Sequence, residues 1–417
     1  MKKHAMLCGL AGLLLACQTN MTGMPPGTSP TAPPHLSLPD YMPPEKPRVC
    51  SLERIAADET DPGVTLAKYT KAAVSTAGNF MVNFYNQKRV YNPAGVPITG
   101  SAFDPSDPIS PDATAPWGPV EALFGTTIGF VASVWDYDNG TMGTRNRLVR
   151  LDNTGAITAS AKTYVNINGA AARGTMAMDG DWVASSAWLP GVRAYYNIGQ
   201  VNNQAEIVDA TTRDYNFEVP DASCNIMGGM AKSGDTVALG VTWFDLVAKN
   251  ANVGVYLKNP GKSPIWAKLA PPTGTINDMT GCYDYYQVNK VLVVGEQFLV
   301  FWQKTGQPKK YVSFVSTDGQ VVTTTSTLYD AFITDIAAIK GGYALAVYDQ
   351  FTPAVGLVIL DESFNHKYSK HLPVGLRPLP ALEQPVLATT GMNGHFALAW
   401  VDGEAIGRVA FFTTTCE

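Results

Sequence analysis

Residues Ile336 to Val347 read IAAIKGGYALAV: an apolar run, a two-glycine turn, and a second apolar run that ends beside Tyr348. Two short runs rich in β-branched and aromatic residues around a glycine read as a hairpin, because the tight turns that suit strand twist need a residue at positive φ. Period-two alternation of the large side chains is expected to set one face of each strand against a neighbour.

Similar stretches recur: Val74 to Phe84, Val120 to Trp135, Thr175 to Trp188, Met227 to Trp243, Val291 to Trp302 and Val386 to Trp400. Each closes on an aromatic residue. The series Phe84, Trp135, Trp188, Trp243, Trp302, Tyr348, Trp400 has gaps of 51, 53, 55, 59, 46 and 52 residues by subtraction. A period near fifty marks a repeat architecture whose units each hold one supersecondary element.

A second hairpin follows each aromatic. Its turns read as Asn153-Thr154-Gly155, Asn259-Pro260-Gly261 and Thr317-Asp318-Gly319, with Asn92 to Gly95 and Asn197-Ile198-Gly199 at the same place in two further units. Four strands in each of seven units predict an all-β, seven-bladed propeller. Strings of β-sandwich domains would repeat nearer a hundred residues. The last unit holds one strand too few, since only Gly407 to Thr415 follows Trp400. A strand from Val49 to Thr70 is expected to fill the gap and close the ring.

At 417 residues and 46% apolar content the chain can bury a large core, while charged residues make up only 16%. The net charge of −5 and the lack of any Lys/Arg run argue against a nucleic-acid partner, which needs a clustered basic footprint.

The chain starts with Lys2 and Lys3, then an apolar stretch from Ala5 to Ala16 that is too short to span a bilayer. Leu14-Leu15-Ala16-Cys17 resembles the lipobox of bacterial lipoproteins. The resemblance implies a signal peptide over 1–16 and a diacylglyceryl thioether on Cys17 with an acylated (palmitate-type) new N-terminus. Such multiple acyl chains hold a protein firmly to a membrane. Gln18, rather than Asp, follows the cysteine and fits passage to the outer membrane. The side of that membrane is left open. Residues 17–49 carry nine prolines between Pro25 and Pro47 and read as an extended tether; 50–417 would be the propeller.

Of six cysteines, Cys8 would leave with the signal and Cys17 would carry lipid. Cys50, Cys224, Cys282 and Cys416 then read as two disulfides in an oxidising compartment. Three pairings exist. The closure argument favours Cys50 with Cys416, which leaves Cys224 with Cys282.

Chemical signatures are sparse. The sialidase Asp-box, WD and kelch patterns are not matched. Asp136-Tyr137-Asp138-Asn139-Gly140 has the start of a calcium loop but lacks its later acid, and reads better as a turn. His366 and His371 are placed in a loop, His395 stands apart, and no metal or Ser-His-Asp set assembles. Tyr283-Asp284-Tyr285-Tyr286 is the one cluster that suggests a ligand, because tyrosines stack on sugar rings and Asp284 can accept a hydrogen bond. No cofactor or metal is implied. The expected function is a lipid-anchored binding or scaffold module with a protein or glycan partner. The alternative is an exported carbohydrate-active hydrolase or lyase that uses channel carboxylates.

Overall fold

The computed structural model describes residues 50–65, 70–84, 87–98, 120–137, 144–163, 166–167, 170–171, 176–189, 193–208, 213–272, 286–304, 310–326, 332–349, 354–373, 385–389, 394–401 and 406–416. Its strands form seven small antiparallel sheets arranged as a seven-bladed β-propeller.

The first strand, β1 (Cys50–Thr65), belongs to the last blade. Blade 1 holds β2 (Lys71–Val74), β3 (Phe80–Phe84) and β4 (Gln87–Tyr91). Blade 2 holds β5 (Val120–Thr126), β6 (Gly129–Tyr137), β7 (Thr144–Asp152) and β8 (Ile157–Thr163). A small hairpin, β9 (Asn166–Ile167) with β10 (Ala170–Ala171), precedes blade 3, which starts with β11 (Met176–Asp179), β12 (Trp182–Leu189) and β13 (Arg193–Val201). Its outer position is shared by β14 (Ile207–Val208) and β15 (Phe217–Pro220), each paired to a different end of β13. Blade 4 is β16 (Ala222–Ser233), β17 (Thr236–Asp245), β18 (Asn250–Lys258) and β19 (Ile265–Lys268). Blade 5 is β20 (Tyr286–Val294), β21 (Gln297–Lys304), β22 (Lys310–Ser316) and β23 (Val321–Ser326). Blade 6 is β24 (Phe332–Ile339), β25 (Gly342–Asp349), β26 (Ala354–Asp361) and β27 (His366–Pro373). Blade 7 runs β28 (Val386–Thr389), β29 (His395–Val401), β30 (Ile406–Cys416), and takes β1 as its fourth strand.

The N-terminal strand thus fills the gap the sequence leaves. Its ladder with β30 begins at Cys50 opposite Cys416. Contacts between the first strands of successive blades run β2, β5, β11, β16, β20, β24, β28 and back to β2, so the ring is closed.

All seven closing aromatics fall on the second strand of a blade. That strand is buried on both faces, which corrects the expectation that one face meets a neighbour. In β29, Phe396, Leu398 and Trp400 pack with blade 6, whereas Ala397, Ala399 and Val401 pack with blade 1. In β25, Ala344, Ala346 and Tyr348 pack with blade 7, and Tyr343, Leu345 and Val347 with blade 5. The near-continuous apolar runs follow from this two-sided burial. Each of the seven blade interfaces carries its own hydrophobic cluster.

Blades approach so closely near the axis that some positions exclude a side chain. A Cβ on Gly228 of β16 would stand 1.6 Å from the Val288 carbonyl oxygen of β20, and one on Gly125 of β5 would stand 1.6 Å from that of Val74 in β2. Glycine there lets two inner strands touch through their backbones.

The turns between third and fourth strands repeat one device. Asn92, Asp152, Asn202 and Asp361 each use Oδ1 to accept the amides two and four residues on, at 2.8–3.0 Å. A left-handed residue sits three positions after each: Gly95, Gly155, Ala205 and Phe364. In blade 3 this moves the turn to 202–206. Asn197, Ile198 and Gly199 lie inside β13 instead, so the sequence assignment of that turn is wrong. Its real turn lacks glycine; Ala205 takes φ 62° because the Asn202 side chain holds the loop. His366 and His371 also lie on a strand, β27, and not in a loop. Blade 1 shows three strands among the described residues, with a single bridge from Tyr91 to Pro97 beyond them.

Candidate functional site

Strand direction assigns the loops to two faces. Starts of inner strands meet starts: the Thr334 hydroxyl donates to Pro385 O at 2.7 Å, and Leu387 N donates to Asp335 at 2.8 Å. Ends meet ends: Thr76 N donates to Thr126 O at 3.2 Å, and Lys232 N to Asp179 at 2.6 Å. Inner strands of neighbouring blades are therefore parallel at these contacts. One face gathers the tight turns described above. Among the described residues, the opposite face holds the starts of the inner strands, such as Val120, Tyr286 and Val386, and the turn between β17 and β18.

This face is the candidate site, and its inner rim has a repeated construction. Registers shift between Val120 and Ala122, Met227 and Gly229, Val288 and Lys290, and Ile333 and Asp335. Each shift inserts one extra residue (Glu121, Gly228, Asn289, Thr334), a bulge that bends the strand and re-aims its side chains. Beside two of the bulges stand Lys290 and Asp335. Lys290 Nζ lies 2.8 Å from Asp335 Oδ1, with the side chains 27% and 13% exposed. Asp335 also accepts Ile336 N and Leu387 N, both at 2.8 Å, so one carboxylate links three inner strands. Asn289 Oδ1 is buried and has no hydrogen-bond partner among the described residues.

Outside the rim, the turn between β17 and β18 is held by Asp245 Oδ1, which accepts Val247 N at 2.9 Å and Ala248 N at 2.8 Å. Val247 stands at its tip, 75% exposed. At the start of β22 on the same face, Lys310 is buried, and desolvation pulls its ammonium down to about 8.

Of the sequence candidates, Tyr286 opens β20 and is buried in the blade 4–blade 5 core. Its hydroxyl donates to Pro271 O at 2.9 Å, and its ring meets Trp302 edge-on at 6.0 Å. Tyr283, Asp284, Tyr285, Cys282 and Cys17 lie outside the described residues, as do 138–140 of the calcium-like stretch. Cys224 lies on β16, between Ser223 and Ile226 where the register slips. His395 opens β29 on the turn face and, with Ser75, Thr76, Thr389 and Pro93, lines a cleft of about 450 Å³ between blades 7 and 1. No carboxylate lines it among the described residues. The described residues contain no group of three His, Cys, Asp or Glu placed to hold a metal.

Sequence reasoning missed Lys290 and Asp335. The available signal was the match of Val288-Asn289-Lys290-Val291 with Ile333-Thr334-Asp335-Ile336 at one place in consecutive repeats.

The chain is a seven-bladed propeller; no protein-family profile and no curated protein matches it. Solved structures resemble it at low identity. A prolyl endopeptidase aligns at 15% identity and TM-score 0.46 over 84% of this chain and 48% of its own. A chain of the mitotic checkpoint complex aligns at 11% and 0.46, covering 91% and 97%. The AfRom2 CNH domain aligns at 8% and 0.45, covering 87% and 98%. The chain thus spans about half the length of the prolyl endopeptidase it matches. None of these likenesses bears on what this chain does.

Proposed function

We propose that the chain is an envelope-anchored lipoprotein, held by lipid on Cys17, whose propeller serves as a binding or scaffold module for a protein or glycan partner. The carrying observation is the contrast between faces. Among the described residues, one face is built from short, internally hydrogen-bonded turns, while the other carries the bulged rim where the inner strands begin. Variable loops on a rigid ring are the usual setting for recognition. On the rim, Asp335 is committed to two amides and Lys290, which fits a scaffold better than acid–base chemistry. The lipobox and the proline-rich spacer support anchoring at a distance from the lipid surface.

Two experiments test this. A photo-crosslinking residue at Val247, on the face of the bulged rim, is expected to yield discrete adducts with envelope proteins, or co-sedimentation with isolated cell-wall glycan. The same residue at Ala94, on the turn face, is expected to yield neither. Equal patterns from both positions, or none, would refute the assignment of the face. Labelled palmitate should enter the wild-type chain and not Cys17→Ala; its failure to enter the wild type would remove the anchor.

A further inference from the structure

The seam between β1 and β30 is the only place where the ring is closed by strands from the two ends of the chain, and its ladder is irregular. From Cys50 to Arg54 the register is uniform, ending with Arg54 opposite Phe412. Beyond it the pairing slips between Arg54 and Ala56, between Ala56 and Glu59, and between Thr60 and Thr65. The slipping part of β1 contains Asp58, Glu59, Asp61 and Pro62, residues that pair poorly in a sheet. As the outer strand of blade 7, β1 pairs with β30 alone among the described strands. The regular five-pair stretch therefore bears most of the closure, and Cys50 opposite Cys416 is its terminal pair.

Residues directly opposite in an antiparallel ladder share a face of the sheet, with Cα atoms about 4.5 or 5.5 Å apart according to the type of pair. Either separation falls in the range of roughly 4.4–6.8 Å that a disulfide spans. We propose that Cys50 and Cys416 are joined by a disulfide that clasps the propeller at its seam. It forms by exchange: one thiolate attacks the disulfide of an oxidant such as oxidised glutathione or a dithiol oxidase, and the second thiolate displaces that sulfur. The oxidant leaves as its dithiol or as two thiols, having taken up the two electrons, and the two protons lost by the cysteines pass through solvent to its departing thiolates. In the cell the bond rests on the envelope location proposed above, because a reducing cytosol would not keep it.

The test takes the full chain from cells lysed into alkylating agent, digests it without reductant, and maps the peptides. The expected result is a Cys50 peptide linked to a Cys416 peptide, which separates on reduction. If both are alkylated in the cell-derived chain but become linked in oxidised glutathione, the clasp stands and the envelope reading falls. If they stay alkylatable in oxidised glutathione, or either links to Cys224 or Cys282, the clasp is overturned. Thermal unfolding provides a second readout. Cys416→Ser, a conservative change near the chain end, should lower the midpoint by roughly 5–10 °C, as expected for removing a long-range cross-link from a chain this size. The double variant with Cys50→Ser should fall no further, and reductant should bring the wild type to the same midpoint. A single variant with an unchanged midpoint, or a double variant that falls twice as far, counts against the bond.

Discussion

At Gly228 the geometry leaves no room for an alternative residue. Any Cβ must displace the Val288 carbonyl, which belongs to the inner strand of the next blade and is fixed by that blade's own ladder. Gly228→Ala is expected to cost about 3 kcal/mol in denaturant unfolding. A cost below 1 kcal/mol would mean that the blades are not in backbone contact there. Lys310 allows a test by pH. Burial holds its folded pKa near 8, against 10.5 for the exposed side chain. Below pH 8 the folded and unfolded chains both carry the proton, and the penalty for burying the charge is constant. Between 8 and 10.5 the folded chain loses the proton first, so stability should rise by about 3 kcal/mol across that window and then level off. Lys310→Met should recover up to that amount at pH 7 and flatten the rise. Unfolding at pH 7 and pH 10.5 decides it.

Among elements, the turns between third and fourth strands invite a quantitative comparison. Burial is the largest single influence on the Asp152 carboxyl and raises it, but the Thr154 hydroxyl and the amides of Thr154, Ala156 and Gly155 together more than reverse this, and the group ends below the usual value. Asp361 behaves alike, with Lys367 and Asn365 outweighing burial. Each carboxylate thus stabilises the fold above the ordinary carboxyl range and loses that contribution as pH falls through its lowered value. Asp152→Ala and Asp361→Ala should cost about 1 kcal/mol apiece at pH 7. Blades 2 and 6 are not neighbours in the ring, so the double variant should show the sum of the two. A large departure from additivity would imply coupling around the ring. These turns were legible in sequence wherever glycine marked them. In blade 3 the same turn uses Ala205, whose left-handed backbone leaves no compositional trace, and the nearer Asn197-Ile198-Gly199 misled. In β27 the polar run from His366 to His371 looks like a loop because an outer strand with a solvent side needs few apolar residues.

For the whole molecule, the repeat was readable because every blade places a large aromatic on its second strand. The closing role of the N-terminal strand was readable from a missing partner for the last blade. Contacts between blades were not. Lys290 and Asp335 are 45 residues apart, and only the alignment of Val288–Val291 with Ile333–Ile336 between consecutive repeats relates the two segments. The candidate face is hidden for a related reason: the segments between the repeats carry no periodic constraint in the sequence. Removing residues 50–65 should leave β30 as a bare edge and blade 7 with three strands. The truncated chain is expected to aggregate in size-exclusion chromatography and to lose its single sharp calorimetric transition. A monomer with an unchanged midpoint would show that the seam contributes nothing.

Because residues 1–49 join the disc through the outermost strand of blade 7, any pull along them is delivered to the β1–β30 ladder before the remaining six blades feel it. Load arriving at Cys50 falls first on its pairing with Cys416, where the clasp proposed above would hold; with that bond reduced, the ladder would open one pair at a time from the same end. The molecule's resistance to traction is therefore set at a single joint, however well the rest of the wheel is packed.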